Sequence, residues 1–398
     1  MLRGMTNHEP GGRSPRQQHL IHPVPDGSAV AARGISQVTA IVPHLLGYRP
    51  DHSLVLITTT PQPGSRPGVT RGAVGLTMRV DLPSADDLGH LADALAGPVR
   101  QGLGGETVGT LVHAVAYDLP PGDAQEPAAD YLGGLTEALR GLCDRVGLTL
   151  HDLVLVRDGG REHRSVLTAT REVRGRWEPL PTPADVPATA DLVLQGRSPL
   201  GSREEIAAGV RQRDERASAA TSLAVDILML APDRLDEDHA LAALGAWVVD
   251  GEPEPSARDR AWIAIALHDK TMRDAVLARW IPEMFDLSEV LPPAEAASLA
   301  RHVPPWPVES PTAPVGRVLA LAGRVPLELA APLLTIAGFT AWAQGEGTVA
   351  VEACRHALEV DPDYRMAQLL DRALATGLRP PALGGVGAGR RVGRRGVA

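Results

Sequence analysis

Lysine is nearly missing from this chain: Lys270 is the single one among 398 residues. A P-loop lysine, a pyridoxal-phosphate Schiff-base lysine and a kinase-type lysine would all have to be that residue. It stands in "ALHDKTMRDAV", a helical pattern with no glycine loop before it, so those enzyme classes are set aside. Aromatic residues make up only 3%, which leaves Leu, Val, Ile and Ala to build the core. With so few rings, a stacking platform for single-stranded nucleic acid is not expected. Two cysteines supply neither a Cys-rich zinc site nor a disulfide framework. Both fall on apolar helix faces, where cysteine acts as a small buried hydrophobe.

Long apolar runs are also lacking. The longest, "LAAPLLTIAGFTAWA" from Leu329, is shorter than the roughly 20 residues that span a bilayer. The opening "MLRGMTNHEPGGRSPRQQ" has no apolar stretch of the kind a signal peptide needs. A formal charge of -9 argues against a whole-surface footprint for DNA or RNA. The expectation is a soluble cytoplasmic protein without membrane contact.

What is present is globular material, 44% hydrophobic and long enough for two domains. Residues 1–33 and 380–398 are rich in Gly, Pro and Arg without periodicity and are expected to be disordered tails. Residues 34–200 mix strand and helix periods in the order ββαβαββ, which predicts an α/β domain with a mixed sheet and flanking helices. In "AVGLTMRVDL", Val74, Leu76, Met78, Val80 and Leu82 alternate onto one face. Ser84 with Asp87 predicts a helix start, and Gly97-Pro98 a helix stop. Residues 201–379 read as an all-α, repeat-like domain. At about 331–364, Gly338, Ala350, Ala357 and Pro362 fall at the spacings of one tetratricopeptide-like unit.

Asp51, His52 and Ser53 spell a hydrolase triad inside "PHLLGYRPDHSLVLI". Neighbours in an extended chain point to opposite faces, so the three cannot bond in the serial order a triad requires. They are read as a turn. Three candidate strands each end on an aspartate, at Asp81, Asp118 and Asp158. Parallel strands would place all three on the carboxyl edge of the sheet, where open α/β folds bind ligands. With Arg79 and Arg157 they make a mixed-charge cluster suited to Mg²⁺ or a phosphate. The bland reading is turn formation and a cross-sheet Arg79–Asp81 ion pair. His113, alternating with apolar residues on a central strand, reads as a satisfied core histidine. Asp236, Glu237, Asp238 and His239 read as a helix start whose carboxylates complement the dipole.

The stretches "VPHLLGYRPDHSLVLI", "GLTMRVDLP", "LQGRSPLGSREE" and "AWAQGEGTVAVEACRHALEVDPDY" resemble domain-of-unknown-function family 4192, typical of high-GC Gram-positive bacteria. The resemblance covers most of the chain between the tails and implies fold kinship without an activity. Relatives often carry a cysteine-containing segment after a tryptophan. Here the residues after Trp177 hold no cysteine, so a redox or metal role tied to that segment does not carry over. The preferred expectation is a non-enzymatic interaction or scaffold protein whose helical domain binds a partner protein. The runner-up is a metal- or nucleotide-dependent enzyme at the carboxyl edge. A third, weaker expectation has the arginine tail touching nucleic acid. Catalytic residues, cofactor and oligomeric state stay unassigned.

Overall fold

The computed structural model describes residues 18–23, 29–63, 70–105, 107–120, 128–194, 198–230, 236–307, 313–378 and 380. Its first half is built on one mixed sheet. The strands are β1 (Gln18–Pro23), β2 (Ala29–Arg33), β3 (Ser53–Pro63), β4 (Thr70–Asp81), β5 (Leu111–Tyr117), β6 (Thr149–Arg157), β7 (Glu162–Thr168), β8 (Arg171–Glu172) and β9 (Glu178–Pro179). They lie in the order β2-β1-β4-β3-β5-β6-β7-β8, with β9 also pairing to β7. Helix α1 (Gly34–Leu46) precedes β3, α2 (Leu88–Leu103) joins β4 to β5, and α3 (Ala129–Val146) joins β5 to β6. From β3 to β7 this is the expected order ββαβαββ, followed by a helical region. Strands β1 and β2 fall inside the stretch expected to be a disordered tail. The Gly- and Arg-rich residues 381–398, with the nucleic-acid role expected of them, lie outside the described residues.

Period-two alternation sends the central strands into two cores. Leu54, Leu56, Ala114, Ala116, Leu153 and Leu155 pack against Leu91 and Leu95 of α2 and Leu135 and Leu139 of α3. Val55, Ile57, Val115, Val154 and Val156 pack on the other face against Val38, Ile41 and Val42 of α1. Helices on both faces explain why residues 54–57 of β3 and all of β5 except His113 are apolar.

Two expectations are corrected by packing. Val74 was placed on one face with Leu76, yet it joins the α1 core while Leu76 joins the α2 core. The cause is a bulge, because Ile57 pairs with Thr77 whereas Thr59 pairs with Val74. The extra β4 residue reverses the side-chain sequence, and Leu76 N–H donates to Thr58 Oγ1 at 2.7 Å. Gly97-Pro98 was expected to stop α2, but the helix runs through Pro98 to Leu103. Burial of Leu91, Leu95, Val99 and Leu103 along one stripe outweighs the backbone bond that proline forfeits.

After a short α4 (Pro187–Leu194), the helical region runs through α5 (Arg203–Val210), α6 (Glu215–Met229), α7 (Glu237–Gly245), α8 (Ala257–His268), α9 (Lys270–Trp280), α10 (Leu287–Val290), α11 (Pro293–His302) and α12 (Ala313–Ala322). At its centre α13 (Ala331–Ala343) is buried on every side, as a helix apolar all round must be. Helix α14 (Gly347–Val360) packs against α13, and α15 (Arg365–Ala375) follows. A methyl group on Gly338 would stand 3.5 Å from the Ala350 carbonyl and 2.8 Å from Leu370 Cδ2, so it would touch α14 and displace the end of that leucine. A buried carboxylate ties α5 to α14 within the helical region, and one hydrogen bond reaches back to α1. Glu352 on α14, 2% exposed, accepts from Arg203 (2.9 Å), Arg211 (3.4 Å) and Arg355 (2.9 Å). Thr348 Oγ1 also donates to the Leu46 carbonyl of α1 at 3.2 Å.

Candidate functional site

Strand direction decides where the candidate aspartates sit. β3 is antiparallel to β4 and to β5, and β5 is parallel to β6. Strands β4, β5 and β6 therefore point the same way, and Asp81, Asp118 and Asp158 share one edge. They do not form one tight group, because β3 lies between β4 and β5. Ser53 registers with Asp81 on one side and Tyr117 on the other. Strands spaced by roughly 4.8 Å separate Asp81 from Asp118 by about 10 Å. The turn carrying Asp51 and His52 fills that gap.

Several side chains at this edge have partners of their own. Arg79 pairs with Asp81 at 2.6 Å and donates from Nε to Ser53 Oγ at 2.8 Å. Ser53 Oγ donates in turn to the Asp51 carbonyl. His52 Nδ1 lies 3.0 Å from the Asp118 carbonyl oxygen. Asp51, His52 and Ser53 thus form no serial triad. Arg157 bonds Glu162 across the next hairpin at 2.8 Å and stacks 3.9 Å over Trp177, and Asp158 faces Arg161 within its own turn at 3.8 Å. The most distinctive group is Asp118. Burial pushes its carboxyl up, His52 opposes that, and the negative Asp51 and Asp158 add to it. His52, Asp118 and Asp158 all have left-handed backbones, with φ of 38°, 50° and 55°. Asp and His tolerate that region better than most residues, so three such positions on one edge store little strain.

Next to this edge, a cavity of about 620 Å³ opens between the sheet region and the helices. The end of α1 lines it through Leu45 and Gly47, α5 through Ile206 and Val210, and the helix Ala313–Ala322 through Gly316 and Leu319. Its size is that of a small-molecule site. Most of its polar groups are already engaged. Asp214 caps the next helix by accepting from Ala217 N–H, and Arg324 pairs with Glu254 at 3.0 Å.

A third place was half seen in the sequence. His113 is buried on β5, as expected, with Nε2 2.9 Å from Thr59 Oγ1 and Nδ1 2.5 Å from Asp152 Oδ2. His151 Nδ1 reaches the same carboxylate oxygen at 2.8 Å. Burial alone would raise the Asp152 carboxyl, but the hydrogen bonds and charge of the two imidazoles prevail and hold it well below the usual carboxylate range. Thr59, His113 and Asp152 repeat the hydroxyl–imidazole–carboxylate series of a hydrolase. At 1%, 2% and 4% exposure the hydroxyl has no route to a substrate carbonyl. The series satisfies buried polar groups. His151 and Asp152 were missed because they precede the apolar run of β6. A polar pair abutting such a run, with His113 on a neighbouring strand, was the available signal.

The acidic cluster at Asp236 proves to be a helix start. Asp236 accepts from the His239 N–H at 3.0 Å, and His239 Nε2 meets Asp259 at 2.8 Å. No helix among the described residues is long and apolar enough to cross a membrane. Residues 36–381 match the family described as Domain of unknown function (DUF4192). No curated protein and no solved structure matches the chain.

Proposed function

The chain belongs to the DUF4192 family, whose description assigns no reaction, and we propose that it is a scaffold whose helical region binds a partner protein. The observation that carries this reading is one face of α6 (Glu215–Met229). Leu223, Ile227 and Leu230 recur at helical spacing and are 62%, 60% and 87% exposed, with Met229 beside them at 60%. Burying such a side chain fully is worth about 1.5–3 kcal/mol, so covering the exposed parts of all four gains on the order of 4–8 kcal/mol before the costs of association. An amphipathic helix is a common docking element. The α13–α14 hairpin supports the tetratricopeptide-like reading, since the two helices pack together and Gly338, Ala350 and Ala357 are buried small residues on them.

The test is capture of partners by the full chain and by Leu223→Glu/Ile227→Glu. Both positions are exposed, so the variant keeps its thermal midpoint and loses the specific partners. Retention of the same partners refutes the reading. Leu228→Glu is the control, because that side chain is 5% exposed and its loss unfolds the region.

A second reading, a metal- or nucleotide-dependent enzyme at the carboxyl edge, is supported by the raised Asp118 carboxyl beside Asp51, His52 and Asp158. In this reading Asp81, with Arg79, flanks the site, and the neighbouring cavity receives the ligand body. Its test is a thermal-shift screen with nucleotides and Mg²⁺. A ligand at about 100 times its dissociation constant adds roughly 2.7 kcal/mol, and Asp118→Asn abolishes that shift if the edge binds it.

A further inference from the structure

The polar cluster at the amino-terminal ends of β5 and β6 has the construction of a metal site. Two imidazole nitrogens and one carboxylate oxygen, from His113, His151 and Asp152, lie within 4.8 Å of one another. Both Nδ1 atoms already face the same oxygen, Asp152 Oδ2, at 2.5 and 2.8 Å. The far sides of two of these groups are fixed. His113 Nε2 meets Thr59 Oγ1 at 2.9 Å, and Asp152 Oδ1 accepts from the Ala169 N–H at 3.2 Å. Such outer contacts are what set ring orientation and tautomer in metal centres.

The backbone is also shaped around the cluster. Val112 pairs with Leu150 and His113 with Asp152, which leaves His151 as the extra residue of a bulge in a parallel strand pair. Bulges re-aim side chains. The β7–β8 turn then folds over the bulge, with Thr170 N–H donating to the His151 carbonyl at 2.8 Å. Ala169 and Thr170 are both left-handed there, at φ 48° and 67°. Asn and Gly are the residues such a turn favours, so contacts to His151 and Asp152 hold it in place of local preference. Finally, among the described residues the only ionic partners of the buried Asp152 carboxylate are the two imidazoles.

We propose that His113, His151 and Asp152 bind one first-row divalent transition-metal ion of the Zn(II) class. Two imidazoles and one carboxylate form a borderline donor set that suits Zn(II), Co(II) or Fe(II) and disfavours Mg²⁺ and Ca²⁺, which take oxygen ligands. Ligand bonds of about 2.0–2.2 Å in a tetrahedral site require donor atoms roughly 3.3 Å apart, so the two short contacts open by less than about 1 Å. His151, with 19% of its side chain exposed, provides the way in. Three protein ligands leave the fourth position to water.

The protons balance without a further reagent. Each ring presents an unprotonated Nδ1 to the metal and keeps its proton on Nε2, and any second proton goes to solvent. Thr59 Oγ1 accepts from His113 Nε2–H in the metal-bound state and donates to that nitrogen when the proton is on Nδ1. One hydroxyl serves both states. The inference stands apart from the partner reading and uses none of its residues.

The experiment titrates Co(II) alone, followed by visible absorption, into the chelator-treated full chain carrying no histidine tag, with Zn(II) as competitor. One equivalent is expected to bind and to be displaced by Zn(II). His151→Gln is expected to weaken binding on the order of 100-fold or more, with its Co(II)-free circular dichroism unchanged because the side chain is partly exposed. His239→Gln, which alters a separate His–Asp pair, is expected to bind as the unaltered chain does. Absence of stoichiometric binding overturns the proposal, and so does equal affinity in His151→Gln. Should Asp152→Asn fail to fold, His151→Gln alone decides.

Discussion

Substituting Asp152 separates charge from hydrogen bonding at the buried network. Its carboxylate, in a residue 4% exposed, accepts from His113, His151 and the Ala169 N–H. Asp152→Ala removes all three contacts and strands a buried imidazole and a buried backbone N–H. Orphaned buried groups cost about 1–3 kcal/mol each, and breaking a buried charged pair from one side costs about 3–5 kcal/mol. The two ranges describe the same loss, so the expected destabilisation is about 3–5 kcal/mol. Asp152→Asn behaves differently. Its Oδ1 still accepts from Ala169, and its two amide hydrogens donate to both Nδ1 atoms once each ring carries its proton on Nε2. Only the charge-assisted share is lost, about 1–2 kcal/mol at neutral pH.

Urea unfolding followed by circular dichroism at pH 7 measures both values. In thermal melts, a domain of this size shifts by about 2–4 °C per kcal/mol, which places Asp152→Ala roughly 6–20 °C below the unaltered chain. The pH dependence has a definite sign. The folded carboxyl is held below its unfolded value, so its stabilisation is complete above about pH 3.9 and is lost as pH falls through the folded value. The gap between Asp152→Asn and the unaltered chain therefore narrows below about pH 4. If Ala and Asn are equally destabilising within about 0.5 kcal/mol, the reversed hydrogen-bond pattern is wrong.

Two further predictions rest on other parts of the fold. In Gly245→Ala the new methyl group meets the His302 carbonyl and lies 2.8 Å from Pro304 Cδ, so overpacking of about 1–3 kcal/mol outweighs a helix-propensity gain of about 1 kcal/mol. Gly133→Ala on α3 meets nothing within 4 Å and is expected to stabilise by about 0.4–1 kcal/mol, so denaturation midpoints move in opposite directions. At the carboxyl edge, the folded Asp118 carboxyl lies above its unfolded value, so its ionised form is penalised at neutral pH and relieved as pH falls below the unfolded value. Asp118→Asn, which tolerates the left-handed backbone, is expected to gain a few tenths of a kcal/mol, roughly, at pH 7 and nothing near pH 3.

Much of the architecture was legible because local periodicity records burial. The order from β3 to β7 and the shared face of Leu76, Met78, Val80 and Leu82 both follow from patterns within about a dozen residues. The common edge of Asp81, Asp118 and Asp158 was also legible, since strands joined by single helices return in the same direction. Their spacing was not. Nothing within β3 states that it will lie between β4 and β5, and that insertion separates Asp81 from Asp118. Propensity likewise marks Pro98 as a stop, because the stripe that overrules it exists only once α2 has a sheet to pack against.

By itself, then, the sequence determined the element order from β3 to β7 and the inward faces of its central strands, and it holds a single lysine. Tertiary structure alone decided which polar groups distant in the chain meet. His113 and Asp152 are 39 positions apart, and Arg203 and Glu352 are 149 apart. Each pairing depends on a strand order, a one-residue bulge or a helix docking. Those are set by long-range packing, which no local period encodes.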